Sequence, residues 1–365
     1  MYQPRLLLAL SAFVASASAL AAEPKYDVYV PFTPENAIIG HFSPIKTPVV
    51  KIKSGDTVKI DGGGGQRWGD KDPNAWLKEN GIDGTIETIP ALAETVKVLK
   101  ETPRVEGIPN GHLLVGPIYV EGAEPGDTLE VRVVAVIPRI PYGTTGGSPA
   151  SGAIPDLVPR PFTHIVKLDM KRNMGIWNSN TEVPLAPFNG VMATCPSVEE
   201  GPTRKSGPPG NFGGNLDCKE LCAGSSLYLP VFQKGALFYT GDCHAAQGNG
   251  EITVNAIETA NSAYYKFVLH KGKTIAMPRA ENATHFITFG LDPDLNKAMR
   301  QAITETIKFL GEKRGLDFFD SYGVASIGVD FCVTQDVDKT NGIHGMIPKK
   351  IFTDLKDEFW SKTQQ

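Results

Sequence analysis

Hydrophobic and polar residues alternate with a period of two along much of the chain, which is the pattern of half-buried β-strands. The alternating runs occupy residues 129–137, 163–168, 227–232, 236–240, 252–257 and 264–269. Each such strand has one apolar face, and sheets packed face to face bury those faces together. The pattern therefore predicts a β-sandwich-like body.

Two segments of the chain resemble each other. Residues 48–60 and 116–131 each contain a β-branched run, a Gly-Asp turn at Gly55-Asp56 or Gly126-Asp127, and a second apolar run. A short turn between two strand-like runs is typical of a β-hairpin. We expect an internally duplicated hairpin unit.

The helical period of 3.6 residues is clearest near the C-terminus. Apolar residues recur at helical spacing over residues 294–313, and Gly311 and Gly315 mark the end of that run. A shorter helix over 316–325 and a strand over 327–335 follow. The predicted fold class is therefore mainly β with an α+β C-terminal part. Two stretches rich in glycine and proline, 140–161 and 201–215, are predicted to be long ordered loops.

The N-terminus has the features of an export signal. Arg5 precedes an apolar run over residues 6–20, and Ala19-Leu20-Ala21 supplies the small residues that a signal peptidase recognises. A short membrane anchor is the alternative, but a bilayer span needs roughly 20 apolar residues. We expect a signal peptide at 1–21, a mature chain from Ala22, and a periplasmic or secreted protein that has no membrane contact after cleavage.

The domain organisation follows from these segments. Residues 22–290 are predicted to form a β-rich catalytic body, and residues 291–365 an α+β part packed on the same body. The 41% hydrophobic content is enough for a substantial core. With 36 Lys and Arg against 40 Asp and Glu, the net charge of -4 offers no basic excess for phosphates, so nucleic acid is excluded as a partner.

Five cysteines allow at most two intrachain disulfides in an oxidising compartment. Cys218 and Cys222 are closest in sequence. Their spacing is a weak zinc signal, because no second pair of Cys or His residues lies nearby in the sequence. A disulfide or two thiols is the preferred interpretation.

The chemistry-bearing residues cluster around one strand end. Along a strand over 237–244, period two places Asp242 and His244 on one face and Cys243 on the other. The glycines that follow favour a hairpin in which Glu251 begins the returning strand, beside Asp242 and His244. Such a trio fits Zn²⁺ or another divalent cation with open coordination positions. Glu258 falls on the opposite face from Glu251 and is a weaker candidate.

Two other interpretations of this cluster stay open. The three side chains fit equally well a hydrogen-bonded turn that has no catalytic part. Alternatively, the Cys243 thiolate attacks the substrate, with an imidazole as base. Adjacent residues on a strand point to opposite faces, so His244 would not serve Cys243, and a buried core thiol is preferred.

Residues 241–251, GDCHAAQGNGE, resemble the GDxHAxQGxGE signature of the acetamidase/formamidase family. Segments 116–127, 213–217 and 229–236 are similar to that family in the same order, and the resemblance spans about 49–352. It implies a β-sandwich-like body, hydrolysis of acetamide or formamide to a carboxylate and ammonia, and a divalent metal ion. Zinc is the preferred ion, with calcium or another cation as alternatives, and the resemblance also implies a homo-oligomer.

The resemblance also assigns site residues. It implies Asp217, Asp242, His244 and Glu251 as metal ligands, with Glu251 or His244 in proton transfer and Asn215 orienting a ligand or donating to an oxyanion. Lower-priority cleft residues are His112, Asp61, Glu258 and Cys243. Val115 departs from the family pattern, which commonly has Thr there, so the amide that is hydrolysed is left open. A binding protein on the same fold that has lost catalysis is the alternative function.

Overall fold

The computed structural model describes residues 23–108 and 110–355. The predicted signal peptide at 1–21 and the mature start at Ala22 lie outside these residues. The strands are β1 (Val28–Val30), β2 (Ala37–Ile39), β3 (His41–Phe42), β4 (Val50–Ile52), β5 (Thr57–Asp61), β6 (Leu113–Val120), β7 (Thr128–Pro138), β8 (Tyr142–Gly147), β9 (Phe162–Asp169), β10 (Met174–Asn178), β11 (Thr181–Pro184), β12 (Phe188–Ala193), β13 (Arg204–Lys205), β14 (Gly213–Asn215), β15 (Ser225–Pro230), β16 (Phe238–His244), β17 (Asn261–His270), β18 (Arg279–Glu281), β19 (His285–Asp292), β20 (Asp330–Gln335) and β21 (Asn341–Pro348). The helices are α1 (Pro73–Glu79), α2 (Pro90–Glu101), α3 (Leu295–Arg314) and α4 (Phe318–Gly328), with 3-10 turns at Pro155–Leu157, Val198–Glu200 and Lys349–Ile351. None of the helices in this part of the chain is long and apolar enough to cross a membrane.

Two large sheets form the body. The nine-stranded sheet has the order β1-β5-β17-β7-β15-β18-β19-β21-β20, and a second sheet has the order β14-β12-β16-β6-β2, with β4 beside β6. Strands β8 to β11 form a four-stranded sheet, and β13 pairs with β3. One buried hydrophobic cluster takes residues from both large sheets, including Ile118, Val131, Phe238 and Phe267. The mainly β, sandwich-like fold is therefore confirmed.

The two repeated units are not hairpins, and that prediction is wrong. Within each unit the two strands belong to different sheets: β4 and β6 pair in parallel, while β5 and β7 lie on either side of β17. The turns contain Gly55 with φ 104 and Gly126 with φ 93, and they lead the chain from one sheet to the other. Both runs of each unit thereby bury their apolar faces in the same core, which a flat hairpin would not achieve.

Two local predictions are also wrong. Residues 252–257 form a loop, in which Ile252 is exposed and Val254 has φ 66. Residues 142–147, expected in a loop, form β8 and pair with β9. The glycines of β8 permit close packing: a Cβ at Gly143 would lie 2.4 Å from Ile257, and one at Gly146 would lie 2.3 Å from the Phe162 carbonyl oxygen.

The C-terminal elements agree with their sequence pattern. Helix α3 begins after Asp294, whose side chain accepts hydrogen bonds from two backbone N–H groups, and ends at Gly315 in the left-handed conformation. It packs against β19, where Gly290 lets the helix backbone approach closely. Strands β20 and β21 continue the nine-stranded sheet, and the predicted division at residue 290 falls inside β19.

Candidate functional site

Three adjacent strands position the acidic and imidazole groups. Strand β12 lies between β14 and β16. Asp217 follows the end of β14, and Asp242 and His244 stand at the end of β16. Asp242 and His244 do meet: Asp242 Oδ2 lies 3.2 Å from His244 Nε2. Asp217 Oδ1 lies 3.9 Å from the other ring nitrogen of His244.

Gly190 of β12 creates the space between these side chains. A Cβ built on Gly190 would lie 2.3 Å from Asp217 Oδ1, 2.5 Å from Asp242 Oδ2 and 2.9 Å from His244 Cε1. Any larger residue would therefore occupy the volume in which the three polar groups converge. The sequence offered no sign of this role.

The loop after β16 adds two glutamates. Glu251 does not begin a returning strand, as the sequence predicted; it lies in the loop with φ 43, and the chain re-pairs with β16 only at Glu258. The loop is held by hydrogen bonds between Gly250 and the end of β20. Candidate ligand atoms of Asp217, His244 and Glu251 all lie within 4.8 Å of one another.

Glu258 is better placed than the strand alternation indicated. Its Oε1 lies 3.4 Å from His244 Nε2, and Asp242, His244 and Glu258 form a second group of candidate ligand atoms within 4.8 Å. The interpretation of Glu258 as facing away from the cluster is therefore wrong, because residues 252–257 are a loop and not the continuous strand on which that inference depended.

The polar atoms at the centre are buried and make no well-aligned hydrogen bond. These atoms are both carboxylate oxygens of Asp217 and both ring nitrogens of His244, although His244 Nε2 lies 3.2 Å from Asp242 Oδ2, and each residue is at most 1% exposed. A buried polar group without a partner costs roughly 1–3 kcal/mol, so such groups call for an explanation such as an ion. Carboxylate oxygens and an imidazole nitrogen suit Zn²⁺ and other divalent cations. The donor set therefore fits a metal ion.

The electrostatics of the cluster also favour a cation. Burial raises the pKa of Asp217 and of Glu251 well above the usual range, and neighbouring carboxylates raise each further. Burial opposes ionisation of His244, but Asp242 and Glu258 raise its pKa well above normal. Burial raises the pKa of Asp338 to about 6. The cluster thus contains more carboxylates than positively charged groups. A divalent ion would balance this excess of negative charge.

The cluster opens into a cleft of about 230 Å³. This volume is below the roughly 300–1,000 Å³ of pockets that bind drug-sized ligands, so the cleft suits a smaller molecule. Several lining residues were missed from the sequence: Gln66, Arg67, Asn255 and Asp338. Arg67 donates a hydrogen bond to Asn255. These residues come from three different loops of the chain, and no local sequence pattern connects them.

Asn215 and His112 line the same cleft. The Asn215 amide donates a 3.0 Å hydrogen bond to Asp338, while its oxygen is buried without a partner. His112 Nε2 lies 4.0 Å from Asp242 Oδ2, and its Nδ1 is 3.0 Å from the Ser206 hydroxyl. Both residues stand where a bound molecule would contact them.

The remaining two candidates differ from each other. Asp61 does not line the cleft; its carboxylate accepts hydrogen bonds from Tyr29 and Ser262 and pairs with Arg139 at 3.2 Å, so its assignment to the cleft is wrong. Cys243 borders the cleft, but burial raises the pKa of its thiol to about 12. A thiol in that state is a poor nucleophile at neutral pH.

All five cysteines are free, Cys218 and Cys222 included.

Taken together, the sandwich fold and the buried carboxylate–imidazole cluster define a mainly β protein with a candidate metal site beside a small polar cleft. A sequence model of the acetamidase/formamidase family matches residues 56–201 and 201–354. The chain therefore belongs to the acetamidase/formamidase family, as the signature at 241–251 indicated.

Individual relatives agree with this assignment. The chain is 28% identical over 205 residues to a formamidase of Methylophilus methylotrophus, with 41% of this chain and 49% of that protein covered. It is 27% identical over 199 residues to an acetamidase of Mycolicibacterium smegmatis, with 39% and 49% covered. The chain thus spans about half of the length of these two relatives. The crystal structure of an acetamidase from Bacillus halodurans is similar at a TM-score of 0.73 and 26% identity, over 89% of this chain and 99% of that one.

Proposed function

We propose that this chain is an exported amidohydrolase that cleaves the C–N bond of small linear amides such as formamide or acetamide. The main support is the convergence of Asp217, His244 and Glu251: Glu251 lines a cleft of about 230 Å³, and the donor atoms of Asp217 and His244 are buried beside it. Membership of the acetamidase/formamidase family supports the reaction class.

Asp217, His244 and Glu251 would hold a divalent ion, zinc by preference, with Asp242 and Glu258 completing or supporting the set. When bound, such an ion supplies Lewis-acid polarisation of the amide carbonyl and makes water more acidic. Gly190 leaves the room for it between the carboxylates. Phe188 packs edge-on against the His244 ring, with the centroids 5.0 Å apart, and fixes its orientation.

Glu251 is the residue that we assign to proton transfer. The residue is 7% exposed and, of the three proposed ligands, it is the one that lines the cleft, where a carboxylate can accept a proton from water beside a bound amide. As water adds to the amide carbon, Glu251 accepts the water proton. When the C–N bond breaks, the same proton passes to the leaving nitrogen. The immediate products are a carboxylic acid and ammonia, and transfer of the acid proton to ammonia then gives the carboxylate and ammonium.

The neighbouring groups orient the substrate. Asn215 and His112 contribute polar atoms to the cleft, and Arg67 and Asn255 form part of its wall. The small volume restricts the acyl group to a few carbon atoms. Because burial raises the pKa of the Cys243 thiol to about 12 and keeps it protonated, we assign that thiol no part in catalysis.

Ammonia release from formamide, acetamide and propionamide tests the proposal. Glu251→Gln should lower kcat by about 10²–10⁴-fold, the usual contribution of a general base. The exposed Glu106→Gln is the matched control and should retain full activity. If a folded Glu251→Gln protein is fully active, the assigned role is wrong. If folded wild-type protein binds amides without releasing ammonia, the binding-protein alternative replaces the enzyme.

Export is a separate part of the proposal, based on the features of residues 1–21. N-terminal sequencing of the protein recovered from the periplasm or medium should give a chain that starts at Ala22 or close to it. Recovery of the uncleaved chain from the cytoplasm would contradict export without affecting the amidase assignment.

A further inference from the structure

A second group of potential ligands lies outside the site described above. Cys218 and Glu220 follow β14, and His344 lies in β21. Glu220 Oε2 is 3.4 Å from Cys218 Sγ and 3.4 Å from His344 Nε2. The three ligand atoms lie within 4.8 Å of one another, although more than a hundred residues of chain separate His344 from the other two.

His344 points an unsatisfied nitrogen into this group. The residue is 0% exposed, and its Nε2 is buried without a hydrogen-bond partner. Its other nitrogen is 2.7 Å from the Thr334 hydroxyl, a contact that fixes the orientation of the ring. A ligating histidine is usually held in this way, with one nitrogen hydrogen-bonded and the other directed at the metal.

The cluster combines sulfur, nitrogen and oxygen donors. Lys219 Nζ forms a salt bridge with Glu220 Oε1 at 2.5 Å. The other oxygen, Oε2, faces Cys218 and His344. Cysteine, histidine and glutamate together are a donor set of the zinc type, and a thiolate disfavours calcium and magnesium. Of the three, Glu220 also lines a cavity of about 600 Å³, so the cluster adjoins this cavity on its Glu220 side.

We propose that Cys218, Glu220 and His344 form an accessory site for a thiophilic divalent cation such as Zn²⁺. The ion joins β21 to the segment after β14, and coordination releases the thiol proton of Cys218 to solvent. Asp217 of the candidate active site directly precedes Cys218, and its carbonyl accepts a 2.7 Å hydrogen bond from Gln247. The accessory ion thereby fixes the backbone that presents Asp217. The sequence did not reveal this site because its third ligand, His344, lies far along the chain from the Cys218–Cys222 pair.

Cobalt substitution provides a direct test on the full mature chain. Co²⁺ bound to a thiolate gives an intense sulfur-to-metal charge-transfer band in the near ultraviolet, whereas oxygen and nitrogen ligands give none. The candidate active site offers no sulfur among its grouped ligands. Adding Co²⁺ to metal-free protein under a non-thiol reductant should therefore produce this band, and Zn²⁺ should displace it.

Variants assign the band to the cluster. Cys218→Ser and His344→Gln should each lose it, while Cys195→Ser, which removes an equally buried thiol elsewhere, should keep it. Glu251→Gln should also keep it, so the two metal proposals fail or succeed separately. Absence of the band in folded wild-type protein overturns the accessory site, and so does a band that persists in Cys218→Ser. If Cys218→Ser does not fold, His344→Gln and the wild-type titration decide the matter.

Discussion

Replacing Gly190 by alanine adds a single methyl group at the centre of the candidate site. That methyl carbon would lie 2.3 Å from Asp217 Oδ1, 2.5 Å from Asp242 Oδ2 and 2.9 Å from His244 Cε1. Ordinary van der Waals contact begins at 3.4 Å, so the two carboxylates must each retreat by about 1 Å. The backbone of Gly190 is not in the left-handed region, so alanine itself is unstrained there.

The magnitude follows from that displacement. A misplacement of about 1 Å at a catalytic constellation costs about 100-fold in rate, so we expect Gly190→Ala to lower kcat/KM for acetamide by at least about 100-fold. Overpacking of a buried site costs about 1–3 kcal/mol, which a protein of ordinary stability survives. The variant should therefore remain folded, with less bound metal than wild type.

The assay is ammonia release together with elemental analysis and a thermal melt. Gly248→Ala is the matched control, because a Cβ there meets nothing within 4 Å and the residue belongs to the same signature segment as Asp242. It should keep wild-type activity and metal content. If Gly190→Ala is folded, metal-loaded and as active as Gly248→Ala, the inferred convergence of Asp217, Asp242 and His244 is refuted.

Three further predictions concern catalysis and stability. Cys243→Ser should leave acetamide hydrolysis within about threefold of wild type, because burial keeps the thiol protonated; loss of activity in a folded variant would restore the nucleophile hypothesis. Burial opposes ionisation of Glu130, but hydrogen bonds from His270 and Arg132 outweigh it and lower its pKa, so its stabilisation is present at neutral pH and is lost as the pH falls below about 4.5. Glu130→Gln should thus cost about 1–3 kcal/mol in urea unfolding at pH 7 and less at pH 4, and a cost that grows at pH 4 would contradict this. Gly290→Ala would place a Cβ 2.0 Å from a carbonyl oxygen of α3, and this clash should lower the melting temperature. A melting temperature equal to that of wild type would show that the helix packs differently.

The fold class was accessible from the sequence because alternation with period two is a local signal. The same signal failed at β4–β5 and β6–β7, where the turn directs two good strands into different sheets. Glycine was misread in β8, where it serves close packing against Ile257 instead of a turn. Helices α1 and α2 were missed, although Asp72 and Pro73 form a recognisable helix start.

The candidate site was partly accessible for the same reason. Strand alternation placed Asp242 and His244 together, and the structure agrees. Asp217 came only from the family resemblance, since no local pattern connects β14 with β16. Asp338 and Gly190 were missed: the first lies in the distant loop between β20 and β21, and the second contributes by the absence of a side chain. Glu258 was misjudged because a loop replaces the strand on which its direction was inferred.

In the proposed mechanism, amide hydrolysis depends on a divalent ion held by Asp217, His244 and Glu251. The most direct test measures metal content and acetamide hydrolysis on the same preparation, before chelation, after chelation and after the ion is returned. Activity should disappear with the ion and return with it, while circular dichroism shows that the fold is retained. Full acetamide hydrolysis by protein that elemental analysis shows to be metal-free would rule out the metal-dependent mechanism.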